Sequence, residues 1–152
     1  MSSRFEEVEL TNMCMVKSPT NCYLVIDRRD SSWPGLVFPG GHIERNESIT
    51  DSVIREVKEE TGIIVNSPKL CGIKEFTNHE GRRYIVFLYK AENYEGTLLS
   101  SQEGIAKWLS IEEINKGQTV SGFYDMLQVF ENDSISEVYY PPHRASNEMI
   151  LM

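Results

Sequence analysis

Apolar and polar positions divide the chain into an alternation of strands and two helical segments. Residues Phe5 to Val16 include Val8, Leu10 and Met13 and read as a strand. "KSPTN" carries Pro19 and Asn21 and marks a turn. "CYLVIDRR" is β-branched and aromatic, and predicts a second strand that forms a hairpin with the first. "DSSWPG" is a loop, and "LVF" a short strand that runs into Pro39-Gly40-Gly41. From Ser48 to Thr61 the period changes. Ile49, Val53 and Val57 recur at every fourth position with Ile54 beside them, which predicts a helix stopped by Gly62. "LCGIKEFTN" and "RYIVFLYKAE" then form a predicted hairpin around "HEGR", and "AKWLSI" a further strand. "SIEEI" starts a polar helix. "GFYDMLQVFEN" predicts an amphipathic one with Phe123, Leu127 and Phe130 on one side, and "SEVYY" a last short strand.

This order suggests one domain over residues 1–140, of α/β (α+β) class, with helices on both faces of a mixed β-sheet. Residues 141–152 have mixed composition and are expected to form a loosely held tail. No apolar run approaches the roughly 20 residues of a membrane span. The charged start, MSSRFEEVEL, lacks the apolar core of a secretory signal, so a cytoplasmic location is the expectation. Cys14, Cys22 and Cys71 have no metal-type spacing and read as small hydrophobes. The net charge of −8 argues against a nucleic-acid polymer as partner. It leaves room for a small phosphorylated ligand held through divalent cations.

The acids of the central helix favour that ligand. On a helical wheel Glu56, Glu59 and Glu60 share a sector of about 100°. Val53, Ile54, Val57 and Thr61 fill the sector beside it, and Asp51 and Lys58 face away. Carboxylates at these spacings repel one another. The repulsion becomes attraction when a hard cation such as Mg²⁺ or Mn²⁺ binds between them. Gly40 and Gly41 precede the helix and let backbone groups approach a ligand closely.

The stretch from Gly41 to Ile63 resembles the signature of the Nudix hydrolase family, G-x5-E-x7-R-E-U-x-E-E-x-G-U, where U is bulky and aliphatic. Gly41, Glu47, Arg55, Glu56, Val57, Glu59, Glu60, Gly62 and Ile63 occupy every specified position without a gap. The resemblance implies an α/β/α sandwich and hydrolysis of a diphosphate linkage in a small nucleotide, with Mg²⁺ or Mn²⁺ as cofactor. It implies that Glu56, Glu59, Glu60 and the Gly40 carbonyl ligate metal, with Gly41 and His42 against the substrate. Glu47 and Arg55 then pair to hold the loop on the helix.

Within the family the chain is most similar to the MutT type, which cleaves nucleoside triphosphates, 8-oxo-dGTP among them, to monophosphate and pyrophosphate. "FPGGH" resembles the entry to that type's box, with His42 where the type has lysine. Arg29 resembles an arginine near the phosphates. Glu103 in "SSQEG" resembles a further metal-binding glutamate, and is a candidate metal ligand or general base. A sugar nucleotide or dinucleotide as substrate, and a non-catalytic nucleotide-sensing domain, are the alternatives. Trp33 reads as a loop-packing residue that could also stack on a base. Tyr84 and Phe87 differ in strand parity and point to opposite sides of their strand. The nucleobase, the number of metal ions and the oligomeric state are not specified by these residues.

Overall fold

The architecture was obtained as a computed structural model, which describes residues 3–142 and 148–152. In chain order the elements are β1 (Val8–Val16), β2 (Tyr23–Arg28), β3 (Gly35–Val37), β4 (Gly40–His42) and α1 (Ile49–Thr61). Next come β5 (Ile63–Val65), β6 (Lys69–Thr77), β7 (Arg83–Ala91), β8 (Tyr94–Gly96) and β9 (Gly104–Leu109). The chain closes with α2 (Ile111–Lys116), α3 (Phe123–Glu131), β10 (Glu137–Tyr139) and β11 (Ile150–Leu151). No helix among the described residues is long and apolar enough to cross a membrane.

The main sheet is mixed and runs β11-β10-β6-β7-β1-β4. β1 lies parallel to β7, and β10 parallel to β6; the other neighbours are antiparallel. Side chains alternate between its two faces. Cys14, Val16 and Tyr89 turn toward α1, which adds Val53 and Val57 to their cluster. Met15, Val86 and Leu88 turn toward α3, which adds Phe123, Met126, Val129 and Phe130. Leu127, expected beside the two phenylalanines, is only partly buried. A second antiparallel sheet, β3-β2-β9, and a two-stranded ribbon, β5-β8, complete the fold.

Phe38, between β3 and β4, stacks on Phe123 at 4.4 Å and meets the edge of Phe130 at 5.0 Å. This contact ties the α3 layer to the segment that leads into β4. The caps of α1 are local. The Ser48 side chain accepts from the Asp51 amide at 3.0 Å, and Gly62 takes the left-handed conformation that ends the helix.

The structure corrects two sequence expectations. β1 and β2 do not form a hairpin: a lone bridge, Lys17 to Tyr23, joins them before they enter different sheets. β1 is buried on both faces over much of its length, and such a strand belongs in a sheet covered by helices, here beside β7. The end of the chain is also not loose where it is described. Ile150 and Leu151 pair with Tyr139 and Val138, and the Ser136 amide donates to the Met152 carbonyl at 2.7 Å. The rest of that expectation falls partly on residues 143–147, outside the described residues.

Candidate active site

The site begins at an edge strand. β4 is an edge where Gly40 lies too close to β1, and Gly41 too close to Glu56 of α1, to leave room for a side chain. A Cβ on Gly40 would lie 2.1 Å from the Asn12 carbonyl oxygen, and one on Gly41 2.5 Å from the Glu56 carboxyl carbon. Neither glycine has a positive φ; close approach to backbone requires Gly40, while a side chain at Gly41 would displace the Glu56 carboxylate. At Gly41 the space is filled by a carboxylate of the protein itself.

The three acids of α1 occupy different environments. Glu60 is 7% exposed and accepts the Gly40 N–H at 3.3 Å. Glu56 is half-buried and accepts from Arg55 Nη1 at 2.9 Å. Glu59 is exposed, 3.3 Å from the same nitrogen. Burial pushes the Glu60 carboxyl up to about 9, and the negative charges of Glu103 and Glu56 push in the same direction. Glu103 therefore faces Glu60 electrostatically, although it sits in the turn before β9, where its amide donates to Ser101 Oγ at 3.2 Å.

Arg55 organises the loop between β4 and α1. Its Nε and Nη2 donate to the two carboxylate oxygens of Glu47 at 3.0 and 2.7 Å. Nη2 also donates to the His42 carbonyl at 3.0 Å. Glu47 accepts the Glu44 amide at 2.7 Å. The planar guanidinium thus ties strand end, loop and helix together. Arg55 holds the Glu47 carboxyl below its ordinary value, with help from the Glu44 amide.

Arg29 and Glu103, far apart in sequence, line one cleft of about 530 Å³ together with Arg28, Ser101 and Gln102. His42 lies elsewhere. Its imidazole is exposed and partnered by Glu9 at 3.2 Å and, edge-on, by Tyr84, rather than by Glu56, Glu59 or Glu60. Trp33 packs against the core with Arg28 over its ring at 5.3 Å.

Two residues escaped the sequence reading. Arg28, adjacent to Arg29, has a buried Nε with no hydrogen-bond partner. Asn12 is 1% exposed and donates to Ser52 Oγ at 2.9 Å, while its Oδ1 has no partner. A polar residue at a buried position of an apolar strand was the available signal for Asn12.

Among the described residues no three acidic, histidine or cysteine side chains already enclose a cation position. The donor chemistry nevertheless fits a hard divalent ion. Glu60 is a buried carboxylate, it faces two further carboxylates, and no cation of the protein bonds it: its partners are the Gly40 amide and the Glu56 carboxyl. Glu59 and Glu103 are exposed acids on the flanking helix face and turn.

Comparison with known proteins identifies the family and the fold. Residues 11–130 match the family model described as NUDIX domain. The Nudix hydrolase YvcI of Bacillus subtilis is 35% identical over 106 residues, 66% of this chain and 65% of its own length. The 8-oxo-dGTP diphosphatase of Escherichia coli is 30% identical over 82 residues, 53% of this chain and 61% of its own. The matched stretches thus span less than two thirds of either relative. The crystal structure of a MutT protein from Bacillus halodurans, 29% identical, superposes with a TM-score of 0.75 over 94% of this chain and 97% of that one.

Proposed function

We propose, from the premise that the chain belongs to the Nudix family, that it hydrolyses nucleoside triphosphates to a monophosphate and pyrophosphate. 8-oxo-dGTP is a candidate substrate, because the chain is similar to an enzyme of that name. The burial of Glu60 against Glu56 and Glu103 carries this reading. Such a cluster is unfavourable by itself and becomes favourable around a cation that also binds phosphate.

Glu56, Glu59, Glu60, Glu103 and the Gly40 carbonyl would hold Mg²⁺ or Mn²⁺. When bound, such an ion neutralises phosphate charge and lowers the pKa of a water. The protein's own residues supply the rest. Arg28 and Arg29 line the cleft beside Glu103 and orient the anionic chain. Glu103, exposed and lining the same cleft, is the candidate to take a proton from the attacking water if it is not itself a metal ligand. Glu47 and Arg55 are positioning residues that hold Glu56 and Glu59 at the loop.

The test is a panel of nucleoside triphosphates, 8-oxo-dGTP, ADP-ribose, sugar nucleotides and dinucleotides, assayed with each metal and with excess chelator. Pyrophosphate and monophosphate from triphosphates, lost on chelation, are expected. Turnover confined to ADP-ribose, sugar nucleotides or dinucleotides would move the substrate to that class. Binding without turnover of any nucleotide would overturn hydrolysis.

A further inference from the structure

The face of the main sheet opposite α1 carries a cation in unusual surroundings. Lys74, on β6, is 9% exposed. Among the described residues its ammonium donates to no protein oxygen, and its close partners are aromatic rings. It lies over the rings of Phe76 at 5.7 Å and Tyr140 at 5.5 Å. Burial lowers its affinity for a proton, and Asp125 on α3 partly restores it. Gly122, at φ 83°, leaves the space the amine occupies; a Cβ there would stand 2.8 Å from Nζ. Asp125 accepts the Tyr140 hydroxyl on Oδ2 at 2.5 Å. An ammonium so largely removed from water, yet not sealed from it, is open to one further oxygen, and a ligand could supply it.

The neighbours of Lys74 indicate what that oxygen belongs to. Phe76 stacks on Tyr84 at 4.8 Å, and Tyr84 meets the edge of His42 at 6.2 Å. The partly exposed row of rings crosses the sheet from β6 to β4, the strand whose Gly40 amide holds Glu60. From β4 to β6 is three inter-strand steps, roughly 14 Å. That matches the reach of a nucleotide from its outer phosphates to its base. β4 is an edge strand, so a ligand anchored at Gly40 can pass over it onto this face.

We propose that Lys74, with Asp125, selects the nucleobase by donating to a ring carbonyl oxygen, so that the site prefers oxo-bases to amino-bases. This rests on the nucleotide reading above. Lys74 offers donors and Asp125 an acceptor, the complement of a carbonyl beside a ring N–H. Guanine, hypoxanthine, uracil and thymine present that edge. Adenine and cytosine turn an amino group toward the ammonium instead, and leave it unsatisfied. The partly exposed rings of Phe76 and Tyr84 offer any base an apolar contact and supply affinity without selection.

The experiment has two arms, each with wild type and Lys74→Met. In the first, kcat/KM is compared for dGTP, dITP, dATP and dCTP. Wild type is expected to favour dGTP and dITP by on the order of 10- to 100-fold, and the variant to bring the ratio within about threefold. In the second, calorimetry measures metal-free binding of dGMP, dAMP and the 2-aminopurine analogue of dGMP, which has hydrogen in place of the ring oxygen. Wild type should bind the analogue as weakly as dAMP, a result that needs no variant to fold. Hydrolysis of all four triphosphates with no base preference, or a preference unchanged in Lys74→Met, overturns the role of Lys74 and leaves hydrolysis standing. Oxo-base binding without turnover keeps Lys74 and overturns hydrolysis. Neither preference nor turnover overturns both.

Discussion

α1 and α3 flank the same sheet and are held to it by different forces. α3 buries Phe123, Met126, Val129 and Phe130, an apolar stripe locked by the ring of Phe38. α1 buries Val53 and Val57 too, but it also buries Ser52, Glu60 and Thr61. Its placement depends on directional bonds: Glu60 to Gly40, Ser52 to Asn12, and the Arg55 clasp. A packed stripe supplies stability and tolerates small shifts. A bonded face supplies geometry at the expense of stability, because a buried carboxylate must be desolvated. One layer therefore stabilises the sheet on which the other presents its acids.

Three perturbations probe this division. Phe38→Ala strikes the packed layer and is expected to cost about 3–5 kcal/mol, read as a large fall in the midpoint of chemical denaturation. An unchanged midpoint would show that α3 is held by something other than these rings. Glu60→Gln strikes the bonded layer. Turnover should fall by roughly 100-fold or more while the metal-free protein becomes no less stable. The pH dependence gives the sign. Folded Glu60 keeps its proton up to about 9, whereas the unfolded chain releases it near the ordinary 4.5. Between those values the folded state binds more protons, so this group makes metal-free stability fall as pH rises. Thermal melts in chelator should show that slope, and Glu60→Gln should remove its share of it. For the same reason metal affinity should climb with pH across neutrality, as proton and cation compete for one carboxylate. Arg55→Lys is the mildest. It keeps the charge and loses the forked contact with Glu47, for about 1–3 kcal/mol. The loss should appear more in kcat than in melting temperature; equal losses in both would make Arg55 a brace of the whole fold.

Much of the bonded layer was legible because its determinants are local. Ser48 and Gly62 bound α1 within a residue of the expectation, and Glu47, Arg55 and the three acids lie within one short stretch. Even the unequal burial of the acids is latent in the wheel. Glu60 falls about 20° from Val53, and Glu59 about 120° from it. Strand pairing was not legible. Val8 meets Arg83 and Val16 meets Ala91, and an apolar run does not state which distant run it will join. β4 was missed because three residues beginning with two glycines carry little strand propensity. Lys74 lies in a strand whose sequence gives no hint that Gly122 and Tyr140 will stand beside its amine.

The main sheet also ends on very short strands, β4 with three residues on one side and β11 with two on the other. On the β4 side the His42 carbonyl is already taken by Arg55. Little free backbone is thus offered for another chain to add itself to. The arginine that steadies the acids also helps protect the sheet against growing into an aggregate.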